Sequence, residues 1–136
     1  MKKMWLYSVT VAVIILVSIA FVAFANDTNY RNTEFLSRFG WEVSPNPIEK
    51  ERFTLPITPD DIYTNYNSLQ KEAGLDLTPY YGKSGIRYTY AVLNYPFNEN
   101  SQVRANVLTI DGVPIAGDIM TVKSDGFMRS LVFPVN

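Results

Sequence analysis

The sequence predicts an α+β domain, one helix packed on an antiparallel β-meander, preceded by an apolar N-terminal helix. Three observations carry this expectation. An uncharged run extends from Met4 to Ala25, a capped helical pattern spans residues 59–73, and period-two alternation begins near Ile86 and continues between turn signals to the C-terminus.

The N-terminal run follows Lys2 and Lys3 and is rich in Val, Ile, Phe and Ala. A helix of this length crosses a hydrocarbon layer of about 30 Å, and the paired lysines hold its amino end in the cytoplasm. Residues 1–25 are therefore expected to be a transmembrane anchor. Ala23-Phe24-Ala25 also fits a small-x-small cleavage pattern, so a signal peptide cleaved after Ala25, giving a secreted protein, is the competing expectation. Either way the remaining chain lies outside the cytoplasm. Asn26-Asp27-Thr28 has the form of a glycan acceptor but reads as part of a polar tether over residues 26–32.

Residues 33–136 are expected to form a single extracytoplasmic domain. Thr33 can cap a helix through Phe39 that Gly40 closes, with Phe35, Leu36 and Phe39 on one face. Pro45 and Pro47 precede a charged, alternating edge-strand pattern ending near Leu55. Thr58, followed by Pro59 and Asp61, marks the start of a helix over 59–73. Ile62, Tyr66, Leu69 and Ala73 form its apolar stripe, and Gly74 supplies its stop. A loop through Tyr80 and Tyr81 leads to a strand with Ile86, Tyr88, Tyr90 and Val92 on one side. A turn over Asn94–Ser101 precedes a strand from Val103 to Ile110. Asp111-Gly112 then makes a two-residue hairpin into Val113–Val122, where Ile115 and Ile119 are expected to share a face, and an apolar stretch closes the chain from Phe127 to Val135.

Composition narrows the chemistry. The chain has no Cys, which removes disulfides, thiolate nucleophiles and lipid-modified cysteine. It has no His either, which removes imidazole bases and imidazole metal ligands. Beyond residue 25, ten Lys and Arg face thirteen Asp and Glu, a net charge of −3, so nucleic acid is not an expected partner.

Seven of the thirteen carboxylates, Asp60, Asp61, Glu72, Asp76, Asp111, Asp118 and Asp125, could supply an acid/base pair or a hard-cation site. Most sit where helix starts and turns use them, and no calcium-loop spacing occurs. No metal and no cofactor are expected. Asp118 differs, because it interrupts an apolar strand and needs a partner. Arg87 and Arg104 lie on neighbouring predicted strands, so a cross-strand ion pair is the simplest reading. The alternative is a ligand-binding cluster of Arg87, Arg104, Asn106 and Asp118 on the sheet face. The tyrosines at 63, 66, 80, 81, 88, 90 and 95 serve either the core or a groove, with Tyr80 and Tyr81 the expected exposed pair.

Three segments carry a resemblance to a known family. They are Phe39-Gly40-Trp41-Glu42-Val43; the run Tyr66-Asn67-Ser68-Leu69-Gln70-Lys71-Glu72-Ala73-Gly74-Leu75-Asp76-Leu77 with Tyr80, Gly82-Lys83 and Arg87-Tyr88-Thr89-Tyr90; and Val103-Arg104-Ala105-Asn106-Val107-Leu108 with Gly117-Asp118-Ile119 and Asp125-Gly126-Phe127-Met128. In this order they resemble a domain of unknown function found in anchored or exported proteins of Gram-positive bacteria. The resemblance implies placement outside the cytoplasm and implies no reaction. This chain departs from the family's pattern with Ala116 in place of Gly and Arg129 in place of His.

The expectation for function is a non-catalytic module that is held at the membrane through residues 4–25 and binds a protein or cell-envelope partner. A carboxylate-dependent envelope hydrolase or transferase centred on Asp118 is the alternative. It requires a cleft joining Asp118 to a second carboxylate.

Overall fold

The computed structural model describes residues 2–97 and 102–135, the side chains of residues 24–26 excepted. The turn expected over Asn94–Ser101 thus falls partly outside the described residues, as do the Phe24 and Ala25 side chains of the small-residue pattern.

The architecture is α+β. Helix α1 (Lys2–Arg38) is followed by β1 (Glu49–Thr54), α2 (Asp61–Glu72), a 3-10 turn (Thr78–Tyr80), β2 (Ser84–Ala91), β3 (Val103–Ile110), β4 (Val113–Thr121) and β5 (Met128–Arg129). The five strands form one sheet in the order β1-β2-β3-β4-β5, every neighbouring pair antiparallel. The hairpin between β3 and β4 turns at Asp111 (φ 51°) and Gly112 (φ 76°), the pair of left-handed residues that a two-residue turn matching strand twist requires.

Helix α1 corrects two expectations. Asn26–Asn32, expected as a polar tether, is helical, and no new helix starts at Thr33; one helix of 37 residues runs through both. The reason lies in packing. Thr28, Asn32 and Leu36 recur every four residues and are buried, so a stripe continues past the apolar run onto the sheet. Arg31 and Asp27 pair on the outer side at 2.9 Å. The helix ends as expected at Gly40 (φ 96°), where the Trp41 amide reaches back to the Leu36 carbonyl at 3.2 Å.

The sheet separates two cores. On the α1 side Leu36, Trp41, Tyr88, Tyr90, Val107, Ile119 and Leu131 pack together, and the Trp41 Nε1–H donates to the Leu131 carbonyl at 2.7 Å. On the α2 side Leu55, Leu77, Leu108, Ile110, Ile115 and Ala116 form the second cluster. Ile115 and Ile119, expected on one face, thus lie in different cores. A register shift at Leu108/Thr109 against β4 inserts an extra residue there and reverses the alternation.

Helix α2 is shorter than its expected span and is capped by Asp60, not Thr58: the Asp60 side chain accepts the Tyr63 amide at 3.0 Å. Its orientation is also different. Ile62 is 73 % exposed and Leu69 only half-buried, whereas the polar Asn67 and Gln70 face inward. The sheet edge explains the rotation. Because β5 pairs only Ile119 and Met120 of β4, the Gly117 amide has no strand partner, and Gln70 Oε1 accepts it at 2.9 Å. Asn67 Oδ1 likewise accepts the Leu77 amide at 2.8 Å.

Candidate functional site

Between α2 and the sheet lies a cleft of ≈ 590 Å³. Strand alternation sends Arg87, Asn106, Leu108, Asp118 and Met120 to this face, and antiparallel register aligns Asn106 directly opposite Asp118. Helix α2 forms the facing wall with Ile62, Tyr63, Asn65, Tyr66 and Leu69, and Phe53, Leu55 and Met128 complete the lining. The walls are mainly apolar, and the polar groups gather on the floor.

That floor is a hydrogen-bonded chain across four elements. The Thr89 hydroxyl donates to Asn106 Oδ1 at 2.7 Å, Asn106 Nδ2 donates to Asp118 Oδ2 at 3.0 Å, and the Tyr66 hydroxyl donates to Asp118 Oδ1 at 2.7 Å. Asp118 is only 2 % exposed. Burial raises its pKa above the ordinary carboxylate value, opposed by the Asn106 and Tyr66 hydrogen bonds and by the charge of Arg87. Tyr66 titrates well above the usual phenol range, chiefly through burial and then through the neighbouring Asp118 charge.

The cross-strand ion pair expected for Asp118 is not formed. Arg87 pairs instead with Glu51, its partner on β1, and Arg104 turns to the Val103 carbonyl at 3.3 Å and does not line the cleft. Among the described residues no cation stands within ion-pair distance of Asp118. The sheet edge captures Arg87 because Glu51, directly opposite, is accessible, and pairing there costs less desolvation than entering the floor.

Of the candidate cluster, then, the fold unites Arg87, Asn106 and Asp118 and leaves Arg104 aside. Tyr80 and Tyr81 are half-buried against the α2-side core and do not line the cleft. The remaining acids are local: Asp76 accepts from the amide and hydroxyl of Thr78 and from Asn67, which lowers its pKa to about 2. Among the described residues no three acidic side chains gather where they could hold a metal ion.

Sequence reasoning placed Tyr66 among the tyrosines of the core or a groove but missed it as the partner of Asp118, and it missed Thr89 altogether. A signal existed for Tyr66: a phenol on a buried helix face needs a hydrogen-bond partner, as an acid in an apolar strand does. Nothing in the local pattern of Thr89 distinguished it from any strand threonine.

Residues 35–119 match the model of a family described as Domain of unknown function (DUF4830), and the chain belongs to that family. Neither the comparison with curated proteins nor that with solved structures returns a match.

Proposed function

We propose that this member of the DUF4830 family is a non-catalytic binding module, anchored in a bacterial membrane by residues 4–25, that receives a protein or cell-envelope partner in the α2–sheet cleft outside the cytoplasm. Helix α1 is long and apolar enough to span a membrane or to act as a signal sequence. Two of the hydroxyls over this stretch, those of Thr10 and Ser18, donate hydrogen bonds back to the carbonyls of Leu6 and Ile14, as a lipid-facing helix needs.

The observation that carries the binding reading is Asp118. Its carboxylate is on the floor of a cleft with mainly apolar walls, which it shares with Arg87 and Asn106; two neutral donors hold it, no arginine is ion-paired to it, and it has acceptor capacity to spare. A group with an apolar stem and a cationic or N–H head suits such a site. The carboxylate-dependent enzyme finds less support, because Asp118 is the one carboxylate lining the cleft among the described residues.

A photocrosslinking residue placed at Leu69, with Lys123 as the distant control, tests the reading in intact cells. The expected result is a discrete adduct from position 69 that disappears when Met120→Trp fills the cleft. Equal labelling from both positions, unaffected by Met120→Trp, would overturn it.

A further inference from the structure

We propose that the sheet end carrying the β3–β4 hairpin is pressed against the lipid headgroups, with Ile57 as its inserted residue. The proposal rests on the anchor half of the function proposed above and adds an orientation and a lipid contact to it.

Helix α1 passes unbroken from the apolar run into the domain. Thr28 lies three residues beyond Ala25, about 5 Å along the helix axis at its rise per residue. The headgroup layer is roughly 5–8 Å deep on each side of the hydrocarbon. Thr28 therefore stands at headgroup depth.

The domain is locked to the helix at that level. Arg31 Nη1 donates to the Gly112 carbonyl at 3.4 Å, and a methyl added at Gly112 would stand 3.6 Å from Thr28 Oγ1. Asn32 and Leu36, each fully buried, continue the docking further from the membrane, so the helix cannot swivel freely on the sheet. The hairpin tip is thus held beside the lipid surface.

Strand register carries other segments to the same end. Thr54 pairs with Ser84, and Ile86 with Thr109, just before the hairpin. The loops beyond these pairs are tied together, since the Leu55 amide donates to the Lys83 carbonyl and the Gly82 amide to the Leu55 carbonyl. The end they form presents Ile57, 86 % exposed, and Val113, 51 % exposed, with Lys83 over the Tyr80 ring at 5.7 Å. Exposed aliphatics beside Tyr and Lys are the composition of a membrane interface. Asp60, Asp61 and Asp111 share this end, so apolar insertion, and not attraction to anionic lipid, is the contact. The Phe53–Ile62 end of the cleft is then the end nearest the bilayer.

The absence of native cysteine allows a clean test. Ile57→Cys, Lys123→Cys and Tyr7→Cys, each in the full chain, are labelled with a nitroxide and reconstituted in phosphatidylcholine vesicles. Collision with lipid-soluble oxygen is then compared with collision with a water-soluble nickel chelate. The label at 57 is expected to favour oxygen several-fold over the label at 123, without dependence on salt, and to lose that preference when a Gly-Ser-Gly-Ser segment is inserted after Ala25. If the label at 7 is in lipid but that at 57 matches 123, the anchor stands and the apposition is overturned. If the label at 7 is in water, the anchor fails and the apposition with it. Loss of the preference at 57 in high salt would replace insertion with an electrostatic contact and overturn the proposal as stated.

Discussion

The Tyr66 hydroxyl donates a 2.7 Å hydrogen bond to Asp118 Oδ1 and so joins the middle of α2 to the middle of β4. The pair explains how an acid is tolerated in an apolar strand without a cation beside it. Two neutral donors, Tyr66 and Asn106, take the place of the arginine that strand adjacency suggested.

Tyr66→Phe should destabilise the protein by about 1–3 kcal/mol, because it withdraws a donor from a buried carboxylate. In an Asp118→Asn background the same change should cost less, with a coupling of about 0.5–3 kcal/mol. Urea unfolding of the four proteins in micelles, followed through buried Trp41, measures the cycle. Additive effects would mean that the bond contributes nothing.

Asp118 and Asp76 should shape the pH dependence in opposite directions. The pKa of Asp118 is raised from 3.8 in the folded state, so its contribution is fully present below the unfolded value and is lost as pH rises through the folded value. Asp118→Asn should therefore gain on the wild type as pH increases from about 4. Asp76 is lowered from 3.8 to about 2, so its contribution is present above 3.8 and lost as pH falls through about 2. Asp76→Asn should flatten the acid limb of the stability curve and leave the neutral region parallel to the wild type. Unfolding midpoints across the acid and neutral range read both effects.

Gly85→Ala should destabilise by about 1–3 kcal/mol through overpacking, because its Cβ would stand 1.9 Å from the Thr109 carbonyl oxygen and 2.9 Å from the Phe53 ring. Backbone on the neighbouring strand has to move to admit it. An unchanged denaturation midpoint would show that β2 and β3 separate there without cost.

A chain beginning at Asn26 should be more stable than one beginning at Thr33. The shorter chain loses Thr28 and Asn32 from the α1 docking stripe, together with the Asn29 and Asn32 contacts of the Tyr90 hydroxyl at 2.7 and 3.3 Å. Removing hydrogen-bond partners from a largely buried phenol, whose pKa is already raised to about 12 by burial, should cost about 1–3 kcal/mol. Equal thermal midpoints would return residues 26–32 to the role of a tether.

Much of the fold was legible in local pattern. Val103–Ile110, the Asp111-Gly112 turn and the Gly40 stop appear where alternation and left-handed residues put them, because those signals act within a few positions along the chain. The N-terminal helix was equally plain, since being long and apolar enough to span a membrane or to act as a signal is a property of one uninterrupted segment.

Other features arose only when distant segments met. Asn26–Asn32 is polar in composition, yet it is helix because one stripe of it finds the sheet. Asn67 and Gln70 look like solvent-facing positions until the short β5 exposes an edge amide on Gly117 that a side chain must satisfy. Arg87 had two acids within reach, and register placed Glu51 directly opposite it while Tyr66 arrived from α2 to claim Asp118. Sequence by itself determined the presence of α1 and α2, the strands β2 to β4 and the β3–β4 turn, which depend on neighbours along the chain. Tertiary structure alone decided which polar groups pair, because that choice depends on which unsatisfied atoms the packing brings within 3 Å of each other.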